Sequence, residues 1–294
     1  MTENVRLDQA EDILKGFKLP PQPTIFAELK KVAPDIGKMA HIVERDPALA
    51  ASILKVVNSP AIGMANKVTS IKHAMSLLGL RSIMNIINAA FVKRTISGFA
   101  NMDQLNNFWY STTKIAAAMG AIARHMNFKQ YDISVDDAYC LGLFHNVGMP
   151  MMLDKYEDYF QRIRPTYQKG NIGLVEAENH FFGTNHTVLG FYMTKGWGLP
   201  KVIGDVIKIH HNLELIGNVD TLDEKTGVLL AALKMAEQIG GEAEEFGGVD
   251  YNVEWVEMSS TITSFMGLSV HDFFDLEDAI FDTIEAELEA SNQN

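Results

Sequence analysis

Apolar residues recur along this chain three and four positions apart, and almost nowhere at alternate positions. This pattern predicts helices and gives no strand or Asn-Gly hairpin signal. Leu19-Pro-Pro-Gln-Pro23 is a rigid lead-in, because three prolines cannot continue a helix. Ile25, Phe26, Leu29 and Val32 then form one stripe, stopped by Ala33-Pro34. Asp35 caps a helix with Ile36, Met39, Ala40 and Val43 on its apolar face, and Asp46-Pro47 opens another through Leu49, Ile53, Leu54 and Val57. Ser70 caps 71–78, Gly79 breaks the pattern, and 81–96 is helical again. A long helix is expected over 103–126. Ser134 to Asp137 has the Ser-x-x-Asp capping form and opens a helix ending at His145-Asn146. Further helices are expected over 156–167, 174–182, from His186, from Pro200 to His210-His211, and near 224–240, 252–266 and 276–290.

The picture is an all-α protein in two lobes with an extension. We expect a lead helix over 1–16, an N-terminal helical lobe over 17–102, a second lobe over 103–217 and an acidic helical extension over 218–294. Composition adds a bound. With 47% hydrophobic and 21% charged residues the chain reads as an ordinary globular protein, and a lone Cys140 excludes an internal disulfide. The first residues lack an apolar signal-peptide core, and no apolar run approaches the ~20 residues of a membrane span. A cytoplasmic location without membrane partners is expected.

Charge sharpens the division. The net charge is −12, but residues 1–131 carry 16 Lys/Arg against 9 Asp/Glu. Residues 212–294 hold 19 acids and two lysines, Lys225 and Lys234. The basic residues of the first lobe are spread over several helices, with no recognition helix, zinc-finger spacing or aromatic-basic platform. DNA is therefore not an expected partner.

The candidate chemistry lies in the stretch Tyr139 to Met149, where His145 and Asn146 interrupt an apolar run and Gly148 follows as a helix-ending glycine. His186, His210 and His211 also sit at predicted helix ends. Imidazole is the commonest metal ligand, so together they form a candidate cation site. His210 and His211 would point about 100° apart on a helix, so one of the two is expected to face any given site. His41, His73 and His180 read as structural histidines at helix contacts, and the Met149 to Met152 run as packing.

Several motifs in order resemble the HDOD domain, a relative of HD-type metal-dependent phosphohydrolases. They are Leu19-Pro-Pro-Gln-Pro23, Ile42 to Leu49, Ile53 to Pro60 and Ile71 to Arg81 in the first lobe. In the second they are Phe108-Trp109, Gly142 to Gly148, Glu178 with Gly183-Thr-Asn-His186, Trp197 to Pro200 and His210-His211. The resemblance implies a helical lobe followed by a lobe like the HD hydrolase core. It also exposes departures. Ser111 stands where the pattern has a histidine, Asn146 where it has an aspartate, and Glu237 is the nearest counterpart of a later aspartate. An amide carries no negative charge and cannot bridge two metals. What remains is a degenerate set, His145, His186, His210, His211 and Glu237, suited to one divalent cation. No residue is assigned a catalytic role. The resemblance then implies a non-catalytic regulatory or interaction module of bacterial signal transduction, acting as a stand-alone unit with a signalling protein or a nucleotide as partner. The alternative is a metal-dependent phosphohydrolase or phosphodiesterase acting on a nucleotide.

Overall fold

The structure is a computed structural model, and it describes residues 14–17, 24–58, 60, 62–96, 102–168, 173–218, 221–241 and 252–292. The expected lead helix lies almost wholly outside the described residues, and the proline lead-in lies outside them as well. Among the described residues every regular element is a helix, so the fold is all-α.

Four helices build the first core: α1 (Ile25–Val32), α2 (Ile36–Glu44), α3 (Pro47–Val57) and α4 (Ile71–Ile96). Their starts follow from side-chain capping. Asp35 accepts from the Lys38 amide at 3.0 Å, Asp46 from Leu49 at 3.1 Å, and Ser70 from His73 at 3.1 Å. Phe26, Leu29, Val43, Ile53, Val57, Ile71 and Ile83 interlock beneath them. Gly79 kinks α4 with φ 78°, a conformation open to glycine and strained for other residues.

The second core is larger. It comprises α5 (Met102–His125), α6 (Val135–Phe144), α7 (Met149–Lys155), α8 (Tyr159–Gln168), α9 (Leu174–Phe182), α10 (His186–Trp197), α11 (Lys201–Ile209), α12 (Glu224–Gly240), α13 (Val253–Phe265) and α14 (Val270–Asn292). Helix α12 runs through its middle, and every residue from Thr226 to Glu237 is buried. Helix α5 meets α6 along an alanine-rich face, Ala116 to Ala118. A Cβ on Gly142 would stand 2.7 Å from the Ala116 Cα, so the two backbones touch only because that side chain is missing. Val56, Met64, Leu78 and Phe91 pack against both cores, and Arg124 of α5 donates to the Pro60 carbonyl at 2.9 Å. The two lobes are thereby joined.

Three sequence expectations change. Helix α14 starts at Val270, six residues before the apolar spacing suggests, because Ser269 and Asp272 cap each other reciprocally at 2.7 and 3.1 Å. Gly148 is not a left-handed helix stop. Its φ is −75°, and it is needed because a Cβ there would lie 2.0 Å from the His186 carbonyl oxygen. His41, His73 and His180 are exposed rather than held in helix contacts.

A Gly142→Ala substitution should destabilise the chain by about 1–3 kcal/mol, since backbone faces the new methyl and cannot move aside. Gly196→Ala, inside α10 with nothing within 4 Å of the added carbon, should instead stabilise by about 0.4–1 kcal/mol. Urea midpoints of the two variants check the contrast.

Candidate functional site

The histidines gather where α6, α10 and α11 end or begin. His145 follows the last residue of α6, with its Nδ1 2.6 Å from the Gly142 carbonyl. His186 is the first residue of α10. Asn185 precedes it as cap, accepting from the Val188 amide at 3.0 Å and from Thr187 Oγ1 at 2.7 Å. Glu178 on α9 takes both His186 donors, the backbone N–H at 3.0 Å and Nδ1 at 2.7 Å. The other Glu178 oxygen receives the Tyr159 hydroxyl at 2.5 Å. An anion at a helix start is also favoured by the helix dipole.

His210 and His211 both turn into the site, which corrects the expectation that one of them would face away. The 100° rule fails because α11 ends at Ile209: His210 is the cap residue (φ −65°, ψ −10°), and His211 lies in the following turn. His210 Nδ1 is 2.7 Å from the Ile207 carbonyl, and His211 Nδ1 is 2.6 Å from Glu254 Oε1 on α13.

These anchors set the tautomers. The Gly142 and Ile207 carbonyls and the two carboxylates accept hydrogen bonds, so each Nδ1 is the donor and each neutral ring keeps its lone pair on Nε2. His186 Nε2 then stands 3.4 Å from His210 Nε2 and 3.2 Å from His211 Nε2. The ligand atoms of the three rings lie within 4.8 Å of one another. Lone pairs at that spacing repel unless a proton or a cation lies between them. Imidazole nitrogens bound at ~2.0–2.1 Å to a tetrahedral ion stand about 3.3–3.4 Å apart. The donor set therefore fits one imidazole-preferring divalent ion. The second hydrogen bond on every ring is the arrangement that orients metal-bound histidines.

His145 stands beside this triad, its ring centroid 5.7 Å from that of His210, but it is not one of the three converging donors. Glu237 is buried and accepts from the Lys234 ammonium at 2.7 Å. Lys234 also donates to Glu254 Oε2 at 2.8 Å. Ser111 and Asn146 are buried, and the Ser111 hydroxyl has no hydrogen-bond partner among the described residues.

The electrostatics follow from burial and pairing. Burial pushes His210 well below the usual histidine value, with His211, Lys234, His186 and His145 adding to the effect. Burial also lowers His211, against the pull of Glu254. Burial would raise Glu254, but His211 and Lys234 outweigh it and hold the carboxyl well below its ordinary range. Burial opposes the Lys234 charge too, and Glu237 and Glu254 overcome it, so the ammonium stays charged. Burial would raise Glu178, which His186 and Tyr159 hold down.

An HDOD domain model matches residues 19–213. The chain belongs to the HDOD family. A solved HDOD domain protein of unknown function from Geobacter sulfurreducens is 22% identical, with 98% of both chains covered and a TM-score of 0.66. A Shewanella amazonensis protein provisionally assigned as a phosphohydrolase is 19% identical, covering 98% of this chain and 97% of that one at a TM-score of 0.64. A Marinobacter aquaeolei protein provisionally assigned to signal transduction is 20% identical, covering 97% of this chain and 64% of that one at 0.63. These likenesses show a shared fold. An uncharacterized protein of Treponema pallidum (strain Nichols) is 23% identical over 199 residues, which is 66% of this chain and 38% of that protein. The HDOD chain thus spans less than half the length of that relative.

Sequence reasoning about this HDOD chain missed Tyr159, Lys234 and Glu254, and quoted Glu178 without a role. Lys234 had a signal: it is a lysine inside the apolar run Val228 to Ala236. Glu254 had none, being one acid among many and 43 positions from His211.

His210 and His211 have folded values below the ordinary 6.5, so just below that pH the unfolded chain binds more protons than the folded one. Stability should be full above about pH 6.5 and fall as the pH drops below it. In chelator-treated protein, urea midpoints between pH 7 and 5 should fall less steeply for His210→Gln than for the parent chain.

Proposed function

We propose that this HDOD chain is a regulatory module that holds one divalent cation on His186, His210 and His211 and does not hydrolyse phosphoesters. The observation that carries the reading is the convergence of three Nε2 atoms at 3.2 and 3.4 Å, each ring fixed from behind through Nδ1.

Charge favours a cation. With neutral rings, the carboxylates of Glu178, Glu237 and Glu254 hydrogen-bond into the network beside the Lys234 ammonium. A divalent cation on the three rings adds positive charge next to them, and charge removed from water costs several kcal/mol per ion unless opposite charge offsets it.

Two features speak against turnover. Asn146 supplies a neutral amide where the family pattern has a bridging anion. Access is also narrow: the His186 and His210 side chains are buried, and His211 is 17% exposed. A cation here supplies Lewis acidity and positions for an oxygen ligand, and any ligand would approach past His211 and Glu254. The partner would be a signalling protein or a nucleotide that is bound rather than cleaved. The second reading, a metal-dependent phosphohydrolase, draws on the same three imidazoles.

The test separates them. Metal-free protein titrated with Zn²⁺ should take up one equivalent, and His186→Ala should lose that uptake by at least ~100-fold in affinity, the upper range for disturbing a site's oriented ligands. Assays on mononucleotides, cyclic dinucleotides and a generic phosphodiester with Mn²⁺, Mg²⁺ or Fe²⁺ should show no turnover. Metal-dependent turnover that vanishes in His145→Ala would establish the hydrolase instead.

A further inference from the structure

Lys234 is only 2% exposed. It is a lysine buried in the middle of α12, flanked by Leu233 and Met235, which are fully buried. Its ammonium bridges two carboxylates from different helices, Glu237 Oε2 at 2.7 Å and Glu254 Oε2 at 2.8 Å. The second oxygen of Glu254 holds His211 Nδ1 at 2.6 Å, so one carboxylate separates the ammonium from a ring of the triad. This ammonium, shared by a buried carboxylate and a half-buried one, thus stands one carboxylate away from the three imidazoles.

We propose that Lys234 is a built-in cation standing where Glu237 and Glu254 would otherwise draw a second metal ion, so that the site accepts one ion and no more. This rests on the one-cation reading of the three histidines.

The exclusion is steric and electrostatic. Metal bound at ~2.0–2.2 Å to carboxylate oxygens would have to share the space between them with an ammonium 2.7–2.8 Å away. It would also add two positive charges where one is already balanced. The ammonium is tethered by α12 and cannot leave without unfolding or reorienting a buried side chain. Its own carboxylates hold it protonated. The arrangement also bears on chemistry. Two-metal centres clamp both the attacking and the leaving oxygen of a phosphoester. A tethered ammonium supplies charge but has no open coordination position for an oxygen. An ammonium in this place therefore cannot do the work of a second metal ion.

The test is metal stoichiometry, read by equilibrium dialysis and calorimetry on the full chain with Zn²⁺ alone. The parent chain should saturate at one equivalent. Lys234→Asp removes the ammonium between Glu237 and Glu254 and puts a third carboxylate beside them, and should bind two equivalents. Lys234→Arg keeps the charge and should bind one. If the aspartate variant folds only with metal, Lys234→Met serves as the second probe, and its thermal midpoint should rise on adding a second equivalent where the parent's does not. A parent chain that binds two ions overturns the proposal. So does a Lys234→Asp protein that stays at one, or a Lys234→Met protein indifferent to the second equivalent; both leave the three-histidine reading standing. A parent chain that binds none overturns that reading and the inference with it.

Discussion

Charge is buried at a cost that only opposite charge and hydrogen bonds offset, and the second core of this protein buries a great deal of it. Glu178, Glu237 and Lys234 are buried, and Glu254 half-buried, in a helical lobe whose interior is mostly aliphatic and aromatic. That requirement explains placements that packing alone would not. Tyr159 turns its hydroxyl inward to a carboxylate, α10 begins against Glu178, and α13 lies where Glu254 reaches both an ammonium and an imidazole. The aliphatic interior could be repacked in many ways. The polar network allows far fewer, because each member leaves an uncompensated charge if it moves.

Close backbone approach is the second constraint, and it is local. Gly142 lets α6 lie on the alanine face of α5, and Gly148 lets the chain pass under the His186 carbonyl. Both glycines flank His145-Asn146. The stretch Tyr139 to Met149 is thus a contact point for three helices as well as part of the site. Its glycines serve proximity rather than turning, since Gly148 has ordinary helical φ and ψ.

Most of the fold was readable from the chain because most of its signals are local. A cap such as Asp35, Asp46 or Ser134 bonds to an amide three residues on, and an apolar stripe shows its period within a dozen positions. The reading failed where one local signal hid another: the stripe from Leu276 drew attention from the reciprocal cap at Ser269 and Asp272. It failed also at His210-His211, where helical geometry was extended one residue past the helix. The candidate site was readable only in part. Histidines at helix ends mark themselves, but the acids that orient them do not, because a pairing such as His211 with Glu254 leaves no trace in spacing.

That pairing has a consequence for how the protein comes together. Glu254 lies on α13, after the long central α12, whereas the three imidazoles are complete by His211. A chain docked only as far as α11 would hold its rings in rough order with one of them unsupported. Orientation of the last ring waits on the longest-range contact in the network, and such contacts form late because their loop closure is costly. The finished site is in this sense a record that the C-terminal helices have arrived.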